Sequence, residues 1–220
     1  MRPISVTVGP LAAASANAVS LSQTPAGAGA LTINGALAST TKGVTIAKMD
    51  SPRRVLVTTA DTTHTFTVTG TTPSGSMISE LVGPITTNAY TAQDFATVTS
   101  IVINGAATAA VTVGTNGIAS TPWVRLDEWA DAPVSIMTDV TGTVNYTVQS
   151  TSDDPNSNTE PVLPATVTWL STNDPNGVAA TGAIQTNYLF APTFVRILLN
   201  SSGTTGVVTA KVIQYNVASR

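Results

Sequence analysis

The only histidine of the chain, His64, follows Asp61 by three residues, and an imidazole oriented by a carboxylate is a common centre of acid–base catalysis. A serine hydrolase would also carry its nucleophile in a Gly-x-Ser-x-Gly turn, and that pattern does not occur in the sequence. His64 alternates with Phe66 and Val68, which is typical of a histidine at the end of a half-buried strand. We therefore predict no catalytic residues and a protein that is not an enzyme.

Metal binding has little support from the residue types. With no cysteine and one histidine, the chain lacks the ligands of a zinc site. Three groups of acidic residues could supply oxygen ligands: Asp127, Glu128 and Asp131; Asp153 and Asp154; and Asp174. The loop over residues 153–158 is rich in oxygen, but its spacing matches no EF-hand, and Asp-Pro-Asn is also a common turn. We expect no metal site, and a structural calcium ion in this loop is the alternative.

Other features argue against nucleotides and nucleic acids. The glycines within residues 26–30 are not followed by the Lys-Ser/Thr pair of a phosphate-binding loop. Nine Lys+Arg stand against twelve Asp+Glu, which gives a net charge of −3, and the basic residues form no long run. We predict no cofactor and no nucleic-acid partner.

Aromatic residues make up only 5% of the chain, so their positions carry information. Trp123 and Arg125 alternate and would share one strand face, where Arg125 could pair with a carboxylate. Aromatic side chains of a β-sandwich fill its core or anchor an interface, whereas an exposed aromatic platform could bind sugar. The residues that we predict to form an interface are Trp123, Arg125, Trp129, Trp169, Tyr188 and Phe190.

Strands must position these side chains, because alternation with a period of two dominates the sequence. Phe66 and Val68 alternate with threonines, and Val144, Tyr146 and Val148 repeat the pattern. Other strands are predicted at residues 4–8, 44–48, 53–59 and 77–82. Thirteen prolines and sixteen glycines leave room for a helical turn or two only at residues 11–20 and 178–185. The sequence predicts an all-β fold with very little helix, formed by two tandem antiparallel β-sandwich domains of jelly-roll or Ig-like type.

An internal repeat is the reason for predicting two domains. A hairpin over residues 52–68 resembles one over 133–148, so that Phe66 corresponds to Tyr146, and a second hairpin over 95–113 resembles one over 190–212. Gly, Asn, Ser and Pro cluster at residues 114–122, as at a domain join. We predict an N-terminal sandwich with an extended N-terminal arm over residues 1–117 and a C-terminal sandwich over 118–220. The alternative is that hairpins of a Val/Thr-rich chain look alike by chance.

Charge is scarce on this chain: 10% of the residues are charged, against roughly 25% in ordinary soluble domains. Its 39 threonines, with Ser and Asn, would give a polar but nearly uncharged surface. Such a surface suits a protein that lies against other molecules, because desolvating charge is costly. Open sandwiches also have edges that need covering, so we expect a homo-oligomer, a dimer or a trimer. No stretch of sequence predicts a signal peptide or a spanning helix, so we expect no membrane partner.

Several strings resemble the Thr/Gly-rich structural proteins of tailed-bacteriophage virions. The strings are FTVTGTTPSG at residues 66–75, SELVGP at 79–84, FATVTSI at 95–101, GTVNYTVQSTSDDP at 142–155 and GVVTAKVIQ at 206–214. The likeness extends over most of residues 50–220.

This resemblance implies a non-enzymatic, β-rich virion component that is made in the host cytoplasm and assembled in many copies. The leading hypothesis is a capsid decoration (cement) protein that bridges subunits of the major capsid protein and stabilises the head. The expected partners are therefore the major capsid protein or other virion proteins. A neck, tail or fibre component is the alternative within the particle, and an extracellular carbohydrate-binding or adhesin module is the alternative from another class.

Overall fold

A computed structural model describes residues 3–126 and 133–214. The chain divides into two compact units. Residues 13–117 form the first, here called the N-terminal unit, and the chain from Ile118 onward forms the second, the C-terminal unit, together with the first 12 residues. Strand β10 (Val111–Ser120) begins in the N-terminal unit, and its last residues belong to the C-terminal unit.

Strands joined by short turns form the N-terminal unit. In addition to the start of β10 they are β2 (Ser15–Gln23), β3 (Gly29–Ala30), β4 (Ala38–Thr41), β5 (Val44–Thr59), β6 (Phe66–Thr71), β7 (Met77–Val82), β8 (Asn88–Tyr90) and β9 (Phe95–Ile103). β6 lies between β7 and β9, and β9 lies between β6 and β5. β5 also pairs with β4 and β8 and neighbours β10, which pairs with β2.

The alternation of β6 explains how this unit forms its core. Phe66 and Val68 are fully buried, and the threonines between them lie on the other face of the sheet. Gly70 continues the inward positions of β6 where the register between β6 and β9 shifts, and a Cβ atom there would collide with the carbonyl oxygen of Thr97. Glycine at this position therefore permits the close approach of the two strands.

Two antiparallel sheets form the C-terminal unit. Its strands, besides the end of β10, are β1 (Ile4–Val8), β11 (Val124–Arg125), β12 (Val134–Thr141), β13 (Val144–Thr151), β14 (Leu170–Ser171), β15 (Gln185–Tyr188), β16 (Phe194–Ser202) and β17 (Val207–Gln214). One sheet has the order β1-β17-β12-β15. In the other, β16 pairs with β13 and with β10 and β11, and β13 also pairs with β14.

A single hydrophobic core lies between the two sheets of this unit. Val134, Ile136 and Val208 reach it from the first sheet, and Tyr146 and Ile197 reach it from the second. The two faces pack as in a β-sandwich, with inward-facing apolar residues alternating along each strand.

The predicted all-β fold with very little helix is confirmed. Helical structure in the described ranges is limited to two short 3₁₀ turns, Pro164–Thr166 and Pro175–Gly177. The segments 11–20 and 178–185, where a helical turn was conceivable, instead contribute strand residues to β2 and β15. Within residues 3–126 and 133–214, no helix has the length and apolar character needed to cross a membrane. That each unit is an independent jelly-roll or Ig-like domain stays a prediction.

Two details of the predicted organisation are wrong. The first residues do not form an arm of the N-terminal unit, because β1 pairs with β17 and places Val8 in the core of the C-terminal unit. The predicted hairpins are also not hairpins: β12 and β13 lie in opposite sheets, as do β16 and β17, while β5 and β6 both pair with β9. In each case the turn connects two strands that do not pair with each other. The spacing of strands in the sequence does not show which strands pair.

Candidate functional site

The outer face of β7, β6 and β9 is an open sheet surface whose paired rows contain no charged residue. Across the strands the rows read Met77–Thr71–Thr97, Ser79–Thr69–Ser100 and Leu81–Thr67–Val102. Leu81 is 69% exposed and Met77 is 62% exposed. We call these rows the neutral sheet face. Beyond Thr97 the first row continues to Lys48 of β5, so one positive charge borders the face. Exposed apolar side chains on one sheet face make it a candidate interaction surface.

The polar groups of the neutral sheet face bind one another. The hydroxyl groups of Thr69 and Ser79 lie 3.1 Å apart, and those of Thr71 and Thr97 lie 2.8 Å apart. The Thr99 hydroxyl donates to the carbonyl oxygen of Thr69. Because these groups already have partners, covering the face with another protein costs little desolvation.

An open strand edge borders this face. β7 is the terminal strand in the sheet order, so within the described chain no strand pairs with its outer backbone. The one acidic side chain of β7, Glu80, turns away from the neutral sheet face and accepts the backbone N–H groups of Ala92 at 2.7 Å and Gln93 at 2.9 Å. Burial raises the pKa of this carboxyl. The edge is therefore not protected by an outward charge, as many edge strands are.

The Asp61–His64 pair holds two loops of the N-terminal unit together. Asp61 is fully buried, and one of its carboxylate oxygens lies 2.7 Å from Nδ1 of His64. The same carboxylate accepts the backbone N–H groups of Thr63, His64 and Thr108. Burial alone would raise the pKa of Asp61, but the amides of Thr108 and Thr63 and the His64 imidazole hold it well below its usual range. With its oxygens occupied in this way, the carboxylate serves as a structural anchor.

Three aromatic rings of the C-terminal unit form a cluster on the second sheet. Trp123 packs edge-on against Trp169 at 5.1 Å and against Phe194 at 5.8 Å between ring centroids. Trp123 lies just before β11, which pairs with β16, and Phe194 is the first residue of β16. Val162 and Val167 complete this aromatic cluster.

Two arginines hold the aromatic cluster in place. The guanidinium of Arg196 lies 4.1 Å from the ring centroid of Trp169, and that of Arg125 lies 5.5 Å from the ring centroid of Phe194. Arg125 also binds Asp154 through two contacts, of 3.1 Å and 2.9 Å. The pairing that the sequence predicted for Arg125 is therefore present, and it fastens the loop after β13 to β11.

The acidic loop considered for calcium uses its carboxylates locally. Asp153 accepts the backbone N–H of Thr168 at 2.7 Å, and Asp154 accepts that of Asn156 in addition to its contacts with Arg125. In the chain as described, no three His, Cys, Asp or Glu side chains come together as a set of metal ligands. These bonds explain the geometry of the loop as a turn.

A cleft of about 320 Å³ opens at the edge of the C-terminal sandwich. It lies between β14, the last strand of one sheet, and β15, the last strand of the other, and we call it the edge cleft. Its apolar lining includes Leu170, Tyr188, Leu189 and Phe190. Its polar lining includes Ser150, Ser171, Asn173, Asp174 and Asn187. Burial raises the pKa of Tyr188, whereas Phe190 is 68% exposed.

The residues predicted to form an interface lie in different surroundings. Trp123 is buried in the aromatic cluster, Trp169 is partly covered there, and Arg125 flanks it. Tyr188 and Phe190 belong to the edge cleft instead. Trp129 lies outside the described residues.

Sequence reasoning missed Arg196 and the neutral sheet face. Arg196 stands between Val195 and Ile197, both core residues, so strict alternation places it on the outer side of β16, where Trp169 covers it. Leu81 and Met77 alternate with the buried Ile78 and Val82, and this outward parity was a usable signal.

Comparison of the chain with protein-family models, with curated proteins and with solved structures found no match. The functional argument therefore depends on the surfaces themselves. They provide apolar and stacking contacts, hydroxyl and amide hydrogen bonds, and very little charge.

Proposed function

We propose that this protein is a non-enzymatic structural component of a phage virion, a decoration or cement protein that binds the major capsid protein and stabilises the head. The observation that carries the proposal is the neutral sheet face. Its exposed Leu81 and Met77 side chains stand among hydroxyl groups of which four bind one another in pairs, and the rows across β7, β6 and β9 carry no charge, with Lys48 of β5 at their border.

Burial of this face supplies the energy of attachment. Removing a large aliphatic side chain from water contributes about 1.5–3 kcal/mol, so Leu81 and Met77 together favour a covered state. A stable contact of about 1,600 Å² adds free energy that exists only in the assembled particle. A protein bound to the assembled shell but not to dissociated subunits therefore raises the temperature at which the shell comes apart.

The outer position of this face favours a protein partner over a small ligand. A small molecule is usually held in a concave pocket that buries most of its surface, whereas the open face of a sheet buries a large area only against another broad surface. The similarity of several strings to phage structural proteins gives the partner its class, a capsid subunit.

Reconstitution on virus particles tests the proposal. Particles that carry this protein are stripped of it, the purified chain is added back, and its copy number and the melting temperature of the particle are measured. We expect copies in proportion to the major capsid protein and a higher melting temperature after addition. A few copies at a single vertex would instead indicate a neck, tail or fibre component and would contradict the cement role.

Two glutamate substitutions, one on the neutral sheet face and one outside it, form a matched pair of variants. Leu81→Glu is expected to abolish binding to stripped particles, because an unpaired carboxylate would have to be desolvated in the interface. Val44→Glu, at a residue that is 63% exposed in the same unit but outside the paired rows, should bind as the unaltered chain does. Equal binding by both variants would contradict the use of this face.

A further inference from the structure

We infer that the edge cleft of the C-terminal unit is a binding site for a short neutral saccharide. The cleft is concave, and its volume of about 320 Å³ falls at the lower end of the range of about 300–1,000 Å³ for ligand pockets. This inference rests on the cleft alone and is independent of the proposed attachment through the neutral sheet face.

The polar lining identifies the ligand as neutral and rich in hydroxyl groups. Asn173 and Asn187 offer amide groups that both donate and accept, and Ser150 and Ser171 offer hydroxyl groups. No Lys, Arg or His lies among the described residues of the lining, so an anionic ligand would find no counter-charge. Groups that donate and accept at once are matched by the hydroxyl groups of a sugar.

The one charged residue of the lining is held in a turn. Oδ1 of Asp174 accepts the backbone N–H of Asn176 at 3.0 Å and its side-chain amide at 3.1 Å. The carboxylate is thereby fixed at the start of the turn beside β14, where it can accept a sugar hydroxyl.

Exposed apolar side chains supply the second half of sugar recognition. Phe190, 68% exposed, presents an aromatic face to solvent at the rim of the cleft, and the neighbouring Leu189 is 90% exposed. The C–H faces of a pyranose ring pack on such an aromatic surface while its hydroxyl groups bind the polar wall.

A peptide strand is a poorer occupant of the edge cleft. Strand addition requires a run of open backbone groups, and both edge strands at the cleft are short: β14 has two residues, Leu170–Ser171, and β15 has four, Gln185–Tyr188. Recognition at this edge therefore depends on side chains.

An NMR titration of the full chain tests the inference. The ¹⁵N-labelled protein is titrated with maltose, lactose and N,N′-diacetylchitobiose, with glucuronate as the anionic comparison and a Thr/Val-rich peptide as the strand comparison. We expect saturable shifts confined to residues 150–152, 170–174 and 187–192 with at least one neutral sugar. Absence of saturable shifts with all three sugars, or stronger binding of glucuronate or of the peptide, would overturn the inference.

Variants separate binding from folding. Phe190→Ala should weaken sugar binding about tenfold, the equivalent of losing one stacking contact, and Asn187→Ala should weaken it to a similar extent. Leu163→Ala removes a side chain that is 71% exposed in the same unit but outside the lining, and it should bind sugar as before. If Leu163→Ala weakened binding as much as Phe190→Ala, the site would lie elsewhere. Particle binding by Leu81→Glu remains a separate readout, so failure of one proposal leaves the other measurable.

Discussion

The neutral sheet face and the edge cleft show two ways in which sandwich-like units present a surface. The face is built from the outward residues of three paired strands, so it is broad and fixed by backbone hydrogen bonds. The cleft lies where two sheets end, so it is concave and lined by residues next to edge strands. Paired strands thus favour contact with another protein, while the gap between sheet edges favours a small ligand.

The two units also differ in where their ion pairs lie. In the N-terminal unit, Asp61 and Glu80 turn inward to bind backbone amides, and the buried Arg53 binds Asp50 at 2.7 Å. Burial lowers the pKa of Arg53, and Asp50 opposes that shift. In the C-terminal unit, Arg125 forms its ion pair at the surface, whereas the buried Arg196 lies over the Trp169 ring.

The largest expected effect comes from Phe66→Ala, which removes the buried ring on the inner side of the strand that carries the neutral sheet face. We expect the free energy of unfolding of the N-terminal unit to fall by about 3–5 kcal/mol. Urea denaturation with hydrogen exchange resolved by peptide measures this. The β6–β9 amides should lose protection while those of β12, β16 and β17 keep it. An equal loss of amide protection in both units would show that they unfold as one cooperative structure. The two surfaces could then not be treated as parts of independently stable units.

The corresponding change in the C-terminal unit is the control for that experiment. Tyr146→Ala should destabilise β12, β13 and β16 and leave β6 and β9 protected, because Tyr146 is fully buried in the core between the two sheets. Reversal of the two patterns of protection would mean that the assignment of cores to units is wrong.

Local patterns in the sequence predicted strands well and their pairing poorly. Ile4–Val8 and Met77–Val82 were predicted with the observed bounds, because each is a short alternating segment between turn residues. The predicted strands Val44–Lys48 and Arg53–Thr59 are one strand, β5, whose register against β9 shifts between Lys48 and Arg53. The alternation of apolar and polar residues indicates which face of the sheet a residue occupies, but it does not indicate which strand is the partner.

The candidate site was predictable to the extent that it depends on one strand. Arg125 was expected to share a strand face with Trp123 and to bind a carboxylate, and the contact with Asp154 confirms the pairing. The edge cleft was not predictable, because it brings together segments that are distant in sequence, around residues 150, 172 and 188. Long-range contacts of this kind depend on sheet order, which the predicted hairpins described wrongly.

Asp61→Asn is the second largest expected effect and sharpens the contrast in the use of charge. Because the pKa of Asp61 is depressed in the folded protein, its stabilisation is present above the carboxyl pKa of the unfolded chain, about 3.9, and is lost as the pH falls below that value. We expect the melting temperature at neutral pH to fall by several degrees in the variant.

The pH dependence provides the control for Asp61→Asn. Below pH 4 the difference between the variant and the unaltered chain should shrink progressively, because the carboxyl group becomes protonated in the unfolded chain while its pKa stays depressed in the folded protein. Asp139→Asn changes a carboxylate that is 73% exposed and only 3.3 Å from Lys211, and it should leave the melting temperature unchanged. A constant difference across the pH range would rule out the charge of Asp61 as the cause.

Tyr146→Phe is expected to have an intermediate effect within the C-terminal unit. The Tyr146 hydroxyl lies 2.6 Å from that of Thr138 and donates to the carbonyl oxygen of Gly182 at 2.7 Å. Removing it takes one partner from the buried Thr138 hydroxyl and one from the Gly182 carbonyl, which costs about 0.5–1.5 kcal/mol in the free energy of unfolding. Denaturant unfolding measures the loss. No measurable loss would mean that water replaces the bond.

The smallest effect should come from Arg125→Ala, because exposed charge contributes least to stability. The Arg125 side chain is 46% exposed, so its pair with Asp154 should contribute about 0.2–1 kcal/mol, and less at high salt. A double-mutant cycle with Asp154→Ala isolates the coupling, and repeating it in 1 M salt separates charge from the contact of the guanidinium with the Phe194 ring. A coupling well above 1 kcal/mol that survives salt would mean that the surface pair behaves like the buried pair of Arg53 and Asp50. The surface pair and the buried pair would then not differ in strength.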